Sequence, residues 1–420
     1  MAVSGNTVVG SIWRNRDFLL LWIGQSVSML GSRVSQFAFP LLVLAVTGSP
    51  AQAGLVSALG TLPYLLVTLP AGALVDRWDR RRIMLLCDLG RAVALGSIPL
   101  AFTIGSLSWQ HLAVVAMIDG ALSTFFSLAH SSALPHVVDR RQLSQALSAA
   151  STTDQASQMV GPLIGGLLYT LGRGLPFLVD AVSYVVSGAM LMGVRRHLQG
   201  QAHAPSGKKI WHDVRDGIHW LWKEPMLRFL LGVVGTIDLC SYGYTLIMVV
   251  LAQELGATPF QMGVLFATGG VGGILGALVT PWLHARLRFG TMLLGVIWVW
   301  VLTWPPYAFA PNLWVLGVVN IVGWVLVPML YVTEGSYRMT VVPDAFRGRV
   351  NSVWRMLTIG LQPVSVAITG WMLGALGPTW TILLSTIPQA VAAIAALLYK
   401  PLRESPKLAE IARDTATSGS

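Results

Sequence analysis

Asp238 is the one charged side chain between Arg228 and Glu254, in the otherwise apolar or small run "GVVGTIDLCSYGYTLIMVV". A carboxylic acid in such surroundings can hold a structural hydrogen bond, or it can take and release a proton, because its charged form is costly in a low dielectric. Tyr242 and Thr245 share its helical face and add polar atoms beside it. Arg33, Asp119, Asp154 and Glu334 are four more ionisable residues set deep in apolar runs. Glu334 is the second candidate for carrying a proton, but Arg338 follows one turn later in the acid-first order that favours a quiet ion pair. Asp119 is a candidate for an exchangeable proton or a cationic ligand. Asp88 and Arg91, one turn apart, are expected to pair with each other or with the preceding loop, and Asp180 to cap or orient a helix end. His130 and His136 read as solvated or loop-bonded.

The elements that must position these groups follow from composition. With 420 residues, 54% hydrophobic content and a mean hydropathy of +0.65, the chain is too apolar to bury its side chains in one soluble core, so its solvent is lipid. Runs long enough to cross about 30 Å of hydrocarbon number twelve: 18–46, 53–74, 83–104, 111–133, 143–170, 175–194, 226–252, 260–284, 291–309, 313–339, 350–376 and 379–399. The expected fold is therefore all-α and membrane-spanning. The first run is too long for the core of a signal peptide and lacks a small-residue cleavage site, so it reads as a retained helix. A charge near the bilayer centre costs at least ~2.5 kcal/mol on insertion scales, so each needs a partner or a role.

The net charge of +10 points to membrane orientation and away from nucleic acid. Arg14, Arg16, Arg77, Arg80 to Arg82, Arg140, Arg141, Arg195, Arg196, Lys208, Lys209, Arg286, Arg288, Arg347, Arg349, Lys400 and Arg403 fall in alternate gaps or near the ends, whereas Arg173 stands by itself on the other side. By the positive-inside rule both termini are cytoplasmic, in a multi-pass protein of the cell membrane. Cys87 and Cys240 have neither metal nor disulfide spacing and read as buried apolar residues.

Three stretches repeat at an offset of about 200 residues. "GALVDRWDRRR" from Gly72 is echoed by "GALVTPWLHAR" from Gly276, with the acid replaced by Thr280 and Pro281. Pro135, Arg141 and Ser144 after span 4 are answered by Pro343, Arg349 and Ser352 after span 10, and "GPLIGGLLYTLG" by "QPVSVAITGWMLGALG". The echoes have one orientation, so the chain divides into parallel six-helix halves, 1–194 and 226–400, with a connector, 195–225, and a tail, 401–420. In the connector, Ile210, Trp211, Val214, Ile218, Leu221 and Trp222 share one face of an amphipathic helix expected to lie on the cytoplasmic membrane surface. A substrate cavity is expected between the halves.

The first box resembles the signature loop between spans 2 and 3 of the major facilitator superfamily, with Gly72, Asp76, Arg77, Arg80, Arg81 and Arg82 at its Gly, acid and basic positions and Asp79 where a Gly is usual. "GPLIGG", with Gly161, Pro162, Gly165 and Gly166, resembles the span 5 signature of its exporters. The connector, "FLVDAVSY" and "VPDAFRGRVNS" resemble the branch that holds enterobactin exporters and macrolide efflux pumps. The resemblance implies the major facilitator fold, with spans 1, 4, 7 and 10 lining the cavity and span 5 beside span 1. Arg33 and Asp154 then fall close enough to neutralise one another, and Asp238 keeps no obvious partner. Gln25, Ser26, Gln36, Ser123 and Asn320, with Phe37, Phe126, Tyr242, Trp324 and Tyr331, fall on faces expected to line the cavity. Asp76 docks on the start of span 11, near Arg349 to Asn351, in one conformation, while Arg80 to Arg82 face Asp139 or lipid phosphate. Either this box is a latch on the transport cycle, or its charges only orient the loop.

The expected function is secondary active transport: proton-coupled efflux of amphipathic molecules such as macrolides or related drugs. The alternatives are an exporter of a siderophore or other metabolite, and a membrane sensor that does not transport. An enzyme acting on lipid is disfavoured because H-E-x-x-H, G-x-S-x-G and clustered histidines are missing, and an ATP-driven pump because no phosphate-binding loop is present. The partners expected are a small molecule, protons and the bilayer; the chain is expected to work as a monomer without cofactor or metal. If the box is a latch, Asp76→Asn slows turnover severalfold while substrate affinity stays near wild type, as comparison of Vmax with equilibrium binding will read. A defect confined to affinity removes the latch.

Overall fold

Helices in lipid must satisfy the amide groups of their first turn at or near the interface, where hydrocarbon offers nothing. The sequence supplies caps for this. Asn15, Ser49, Asp79, Ser108, Thr258 and Asn312 each accept a first-turn backbone N–H, and Thr258 and Gln261 cap one another reciprocally. Asp79, the departure from the loop signature, therefore starts the third helix.

The computed structural model describes residues 11–196, 198–199, 207–407 and 410, with the backbone alone for 207–211, Leu69, Ala73, Asp76, Arg140, Asp213 and Ala345. The helices are α1 (Arg16–Thr47), α2 (Pro50–Arg77), α3 (Arg80–Thr103), α4 (Trp109–Val137), α5 (Leu143–Leu171), α6 (Leu175–Gly193), α7 (Gly207–Lys223) and α8 (Pro225–Ser241). They continue as α9 (Tyr244–Glu254), α10 (Pro259–Arg286), α11 (Phe289–Ala308), α12 (Leu313–Val341), α13 (Asp344–Ile359), α14 (Gln362–Leu398) and α15 (Lys400–Arg403).

Ten helical stretches among the described residues are long and apolar enough to cross a membrane. One of them, Phe346–Leu398, holds two crossings, because Gly377 takes φ +76° and breaks α14 in a conformation that favours glycine. α5 is long enough, but Ser148, Ser151, Thr152, Thr153 and Asp154 lower its apolarity. With α5 and the divided stretch the crossings are twelve, as the spans predict. Two spans read as continuous are broken: span 7 into α8 and α9 at Tyr242–Gly243, and span 11 into α13 and α14 at Gly360–Leu361.

Within the first six crossings α1 packs on α5 and α6, α3 on α4 and α6, and α2 on α4. The last six repeat several of these pairings, α8 and α11 on α14, α11 on α12, and α10 on α12. Between the two sets, α2 lies along α14 and α5 along α10, with α9 touching α1 and α2. An even number of crossings puts both chain ends on one face, here the terminal face; the other is the distal face.

The apolar core is divided unevenly. One cluster joins the distal ends of both sets, with Leu42, Val56 and Phe177 from the first and Val249, Leu265 and Leu373 from the second. At the terminal face there are two separate clusters: one around Phe18, Met84 and Val137, the other around Leu230, Leu293 and Trp354. The sets are thus sealed together distally and each has its own core at the terminal face.

The connector helix corrects an expectation. α7 packs against α13 and α8, with Leu221 0% exposed and Gly217 against the backbone of Arg349. Asp216 accepts from Arg349 at 3.1 Å and lies 3.0 Å from His212 Nδ1. The apolar face is split: Val214 and Leu221 turn to protein, whereas Ile218 and Trp222 are exposed. The side chains of Ile210 and Trp211 lie outside the described residues, as does the tail beyond Glu410.

Distal closure depends on backbone contact. A Cβ on Gly54 would stand 2.6 Å from the Cα of Gly370, so α2 and α14 meet there with no room for a side chain. Gly370→Leu is expected to wedge them apart and to raise maleimide labelling of an Ala53→Cys thiol, at a position buried in the parent, at least severalfold. Unchanged labelling would show that this contact does not close the distal face.

Candidate functional site

The break in span 7 builds the site. α8 ends at Ser241 and α9 begins at Tyr244, with Gly243 in the turn packed on the side chain of Thr369. Irregular backbone at this depth is tolerated where it lines a cavity, and here it borders one of about 270 Å³. Asp238, Ser241 and Tyr242 line it from the break, Tyr244 and Thr245 from the start of α9. α11 contributes Trp300, Thr303, Trp304 and Tyr307; α12 contributes Gly323, Trp324, Val327 and Tyr331; Gln362 opens α14. Every one of these residues belongs to the last six crossings, whereas the sequence reading expects a substrate cavity between the halves.

Asp238 is 2% exposed. Tyr331 donates to its Oδ1 at 2.5 Å and the Tyr242 hydroxyl lies beside the carboxyl group, while Oδ2 is buried without a well-formed hydrogen bond. Among the described residues no Lys or Arg forms an ion pair with it. Behind the rings, Asn320 is fully buried and does not line the cavity, contrary to the sequence reading. It accepts from Tyr244 at 2.5 Å and Tyr307 at 3.3 Å, and donates to Leu265 O and Thr268 Oγ1 at 3.0 Å each. Trp300 Nε1 donates to Gln389 at 2.8 Å.

The other charged candidates are held in pairs. Arg33 donates to Asp154 at 2.8 Å and to Gln36 at 3.1 Å, and Gln158 donates to the second Asp154 oxygen at 3.0 Å. Glu334 is 2% exposed and accepts from Arg338 at 2.7 Å, the arginine lying over the ring of Trp354. Asp119 accepts from Arg91 Nε at 2.8 Å, which corrects the expected Asp88–Arg91 pair; Arg91 also covers the ring of Tyr184. Asp88 is buried beside Ser187 and Arg91, with neither oxygen in a well-formed hydrogen bond. Asp180 stands inside α6, fully buried, and accepts from Ser35, Ser183 and Tyr184, so it ties α6 to α1 instead of capping an end. Phe37 and Phe126 are core residues, packed on Phe266 and His130 respectively.

The loop box ties the first half to itself. Arg80 donates to Ser132 O at 2.9 Å and Leu198 O at 3.2 Å, and Arg81 donates to Met192 O. These carbonyls lie near the ends of α4 and α6 and in the connector, so Arg80 and Arg81 meet them and not Asp139; a cation at a helix C-terminus is favoured by its dipole. Asp139 instead accepts from the backbone N–H of Arg141. Arg77 is exposed, a Cβ on Gly72 would meet open space, and the Asp76 side chain lies outside the described residues. In the span 5 motif, Gly161 and Gly165 press on α1 at Arg33 and Val34, while Pro162 and Gly166 meet α10 at Gly263 and Pro259. That motif is therefore part of the distal seam.

Sequence reasoning missed Ser241, Tyr244, Trp300, Thr303, Trp304, Tyr307, Gly323, Val327 and Gln362. The aromatic residues of α11 look like ordinary membrane-helix side chains, and only the packing of α11 on α12 turns them inward.

Coupling across the Arg33–Asp154 pair is measurable. Arg33→Ala is expected to lower the yield and melting temperature of purified protein, and Asp154→Asn added to it to restore part of the loss, with a coupling energy of about 0.5 to 2 kcal/mol. Additive losses would mean the two do not interact in the membrane.

With this geometry, comparison with known proteins is direct. Residues 11–418 match the family of transmembrane secretion effectors. The chain is 31% identical over 404 residues to the multidrug efflux pump Tap of Mycolicibacterium fortuitum, covering 92% of this chain and 96% of that one. It is 26% identical over 267 residues to macrolide efflux protein A of Streptococcus pyogenes, 62% of this chain and 65% of the relative. The fold is similar to that of a bacterial homologue of the iron transporter ferroportin in an inward-facing state, with a TM-score of 0.75 at 16% identity over 92% of this chain and 99% of that one. Twelve crossings, the repeated packing and the family match together identify the chain as a multi-pass transporter of the major facilitator superfamily, a member of the transmembrane secretion effector family.

Proposed function

We propose that the chain exports amphipathic small molecules, macrolides and related drugs among them, in exchange for protons, and that Asp238 carries the proton. The relatives named for multidrug and macrolide efflux support the substrate class. The distribution of Lys and Arg supports a cytoplasmic terminal face, so a structure sealed distally is open toward the cytoplasm, ready to load. The observation that carries the coupling is the buried Oδ2 of Asp238, without a well-formed hydrogen bond or ion-pairing cation, on the wall of the cavity.

In this mechanism a proton entering from the distal side rests on Asp238 and is lost to the cytoplasm when substrate arrives. Tyr331 holds the carboxyl group in place throughout. Arg33–Asp154 and Glu334–Arg338 stay paired and keep their charges neutralised in the membrane. Alternating access is rocking of the two halves, 1–194 and 226–400, about the α2–α14 and α5–α10 seams in a single chain, with the loop box acting as the latch at the terminal face.

The test is uptake into inverted membrane vesicles carrying an acid-inside gradient, with macrolides and cationic dyes as substrates, with and without a protonophore. The wild type is expected to accumulate substrate only with the gradient, and Asp238→Asn to fall to the level of vesicles lacking the protein while its membrane content stays normal. Undiminished uptake by Asp238→Asn would remove that residue from coupling; uptake indifferent to the protonophore would remove proton exchange.

A further inference from the structure

The lining of the cavity combines aromatic rings with one carboxylate and a few hydroxyl and amide groups. The hydroxyls of Tyr244 and Tyr307 both turn to Asn320, and the indole N–H of Trp300 turns to Gln389. These polar ends are satisfied behind the wall, leaving ring surface for a ligand. The rings stand across one another: Tyr244 makes 70° with Tyr307 and 73° with Trp324, and Trp304 makes 62° with Tyr307. Rings crossed in this way form a box, and the faces of aromatic rings attract cations. Asp238 is the one charged residue in the wall, and one of its oxygens has no well-formed hydrogen bond. No Lys, Arg or His lines the cavity, so an anion finds no counter-charge. At about 270 Å³ it is smaller than the roughly 300–1,000 Å³ that encloses most of a drug-sized ligand.

We propose that this aromatic box binds the alkylated ammonium head of an amphipathic cation, with Asp238 as counter-ion, while the body of the molecule stays outside it. A primary ammonium needs three acceptors to replace its water; an alkylated one needs few, and a wall dominated by rings, with Asp238 its one carboxylate and Ser241, Thr245, Thr303 and Gln362 its few other polar groups, suits it. The proposal rests on the reading that exported molecules pass through this cavity. Because head and proton use the same carboxylate, one excludes the other.

The experiment is equilibrium binding of radiolabelled benzyltrimethylammonium to the full chain in lipid nanodiscs, with no gradient imposed. Its uncharged carbon isostere, neopentylbenzene, and the anion benzenesulfonate serve as competitors. Saturable binding to the wild type is expected, with neither competitor displacing it and with affinity falling as the medium is acidified. Asp238→Asn should weaken binding at least about tenfold, equivalent to about 1.4 kcal/mol; Asp238→Glu should retain most of it, and Trp324→Leu should lose severalfold. Displacement by the isostere at similar concentration, full affinity in Asp238→Asn, or no binding to the wild type would overturn the box. Binding as expected in a protein that fails the vesicle test would leave the box standing and remove proton exchange, whereas proton-driven uptake without binding would do the reverse.

Discussion

Hydrocarbon gives a polar group nothing to bond to, and this protein is organised around that constraint. Each charge carried inward by the helices meets another part of the chain: Arg33 meets Asp154 across α1 and α5, Arg91 meets Asp119 across α3 and α4, and Glu334 meets Arg338 within α12. The first two pairs knit neighbouring helices within a half, and the third stays within one helix. Against that background Asp238 and Asp88 stand out among the described residues as carboxylates with a buried oxygen outside any well-formed hydrogen bond, and Asp238 borders the cavity.

The same constraint explains where the chain is allowed to be irregular. Glycines and small residues take the seams on which the halves meet, because no large side chain fits where backbones touch. The break between α8 and α9 sits beside the cavity, and its turn is packed on Thr369 of α14. Seam and break share one helix, so motion at the α2–α14 contact reaches the turn that presents Asp238.

Much of this was legible in the sequence, and the limits have physical causes. Span count, loop charge and repeated boxes follow from one-dimensional patterns, and the isolation of Asp238 in an apolar run is visible to the eye. Partners distant in sequence are not: Tyr331 lies 93 residues from Asp238, and Arg91 takes Asp119, 28 residues away, over the adjacent Asp88. Helix breaks were missed because Tyr242 and Gly243 interrupt neither hydropathy nor length. The wall formed by α11 was missed because indole and phenol rings suit lipid, a neighbouring helix or a ligand equally well.

The connector is fixed at both ends. Arg80 donates to Leu198 O, and Gln199 accepts from its backbone N–H, so this end belongs to the first half. α7, from Gly207, is docked on α13 and salt-bridged to Arg349, so the other end belongs to the second. Eight residue steps separate Gln199 from Gly207, and a fully extended chain of that length reaches at most roughly 29 Å. While both anchors hold, that contour length caps how far the two anchor points can draw apart at the terminal face, and so how widely the two halves can part there.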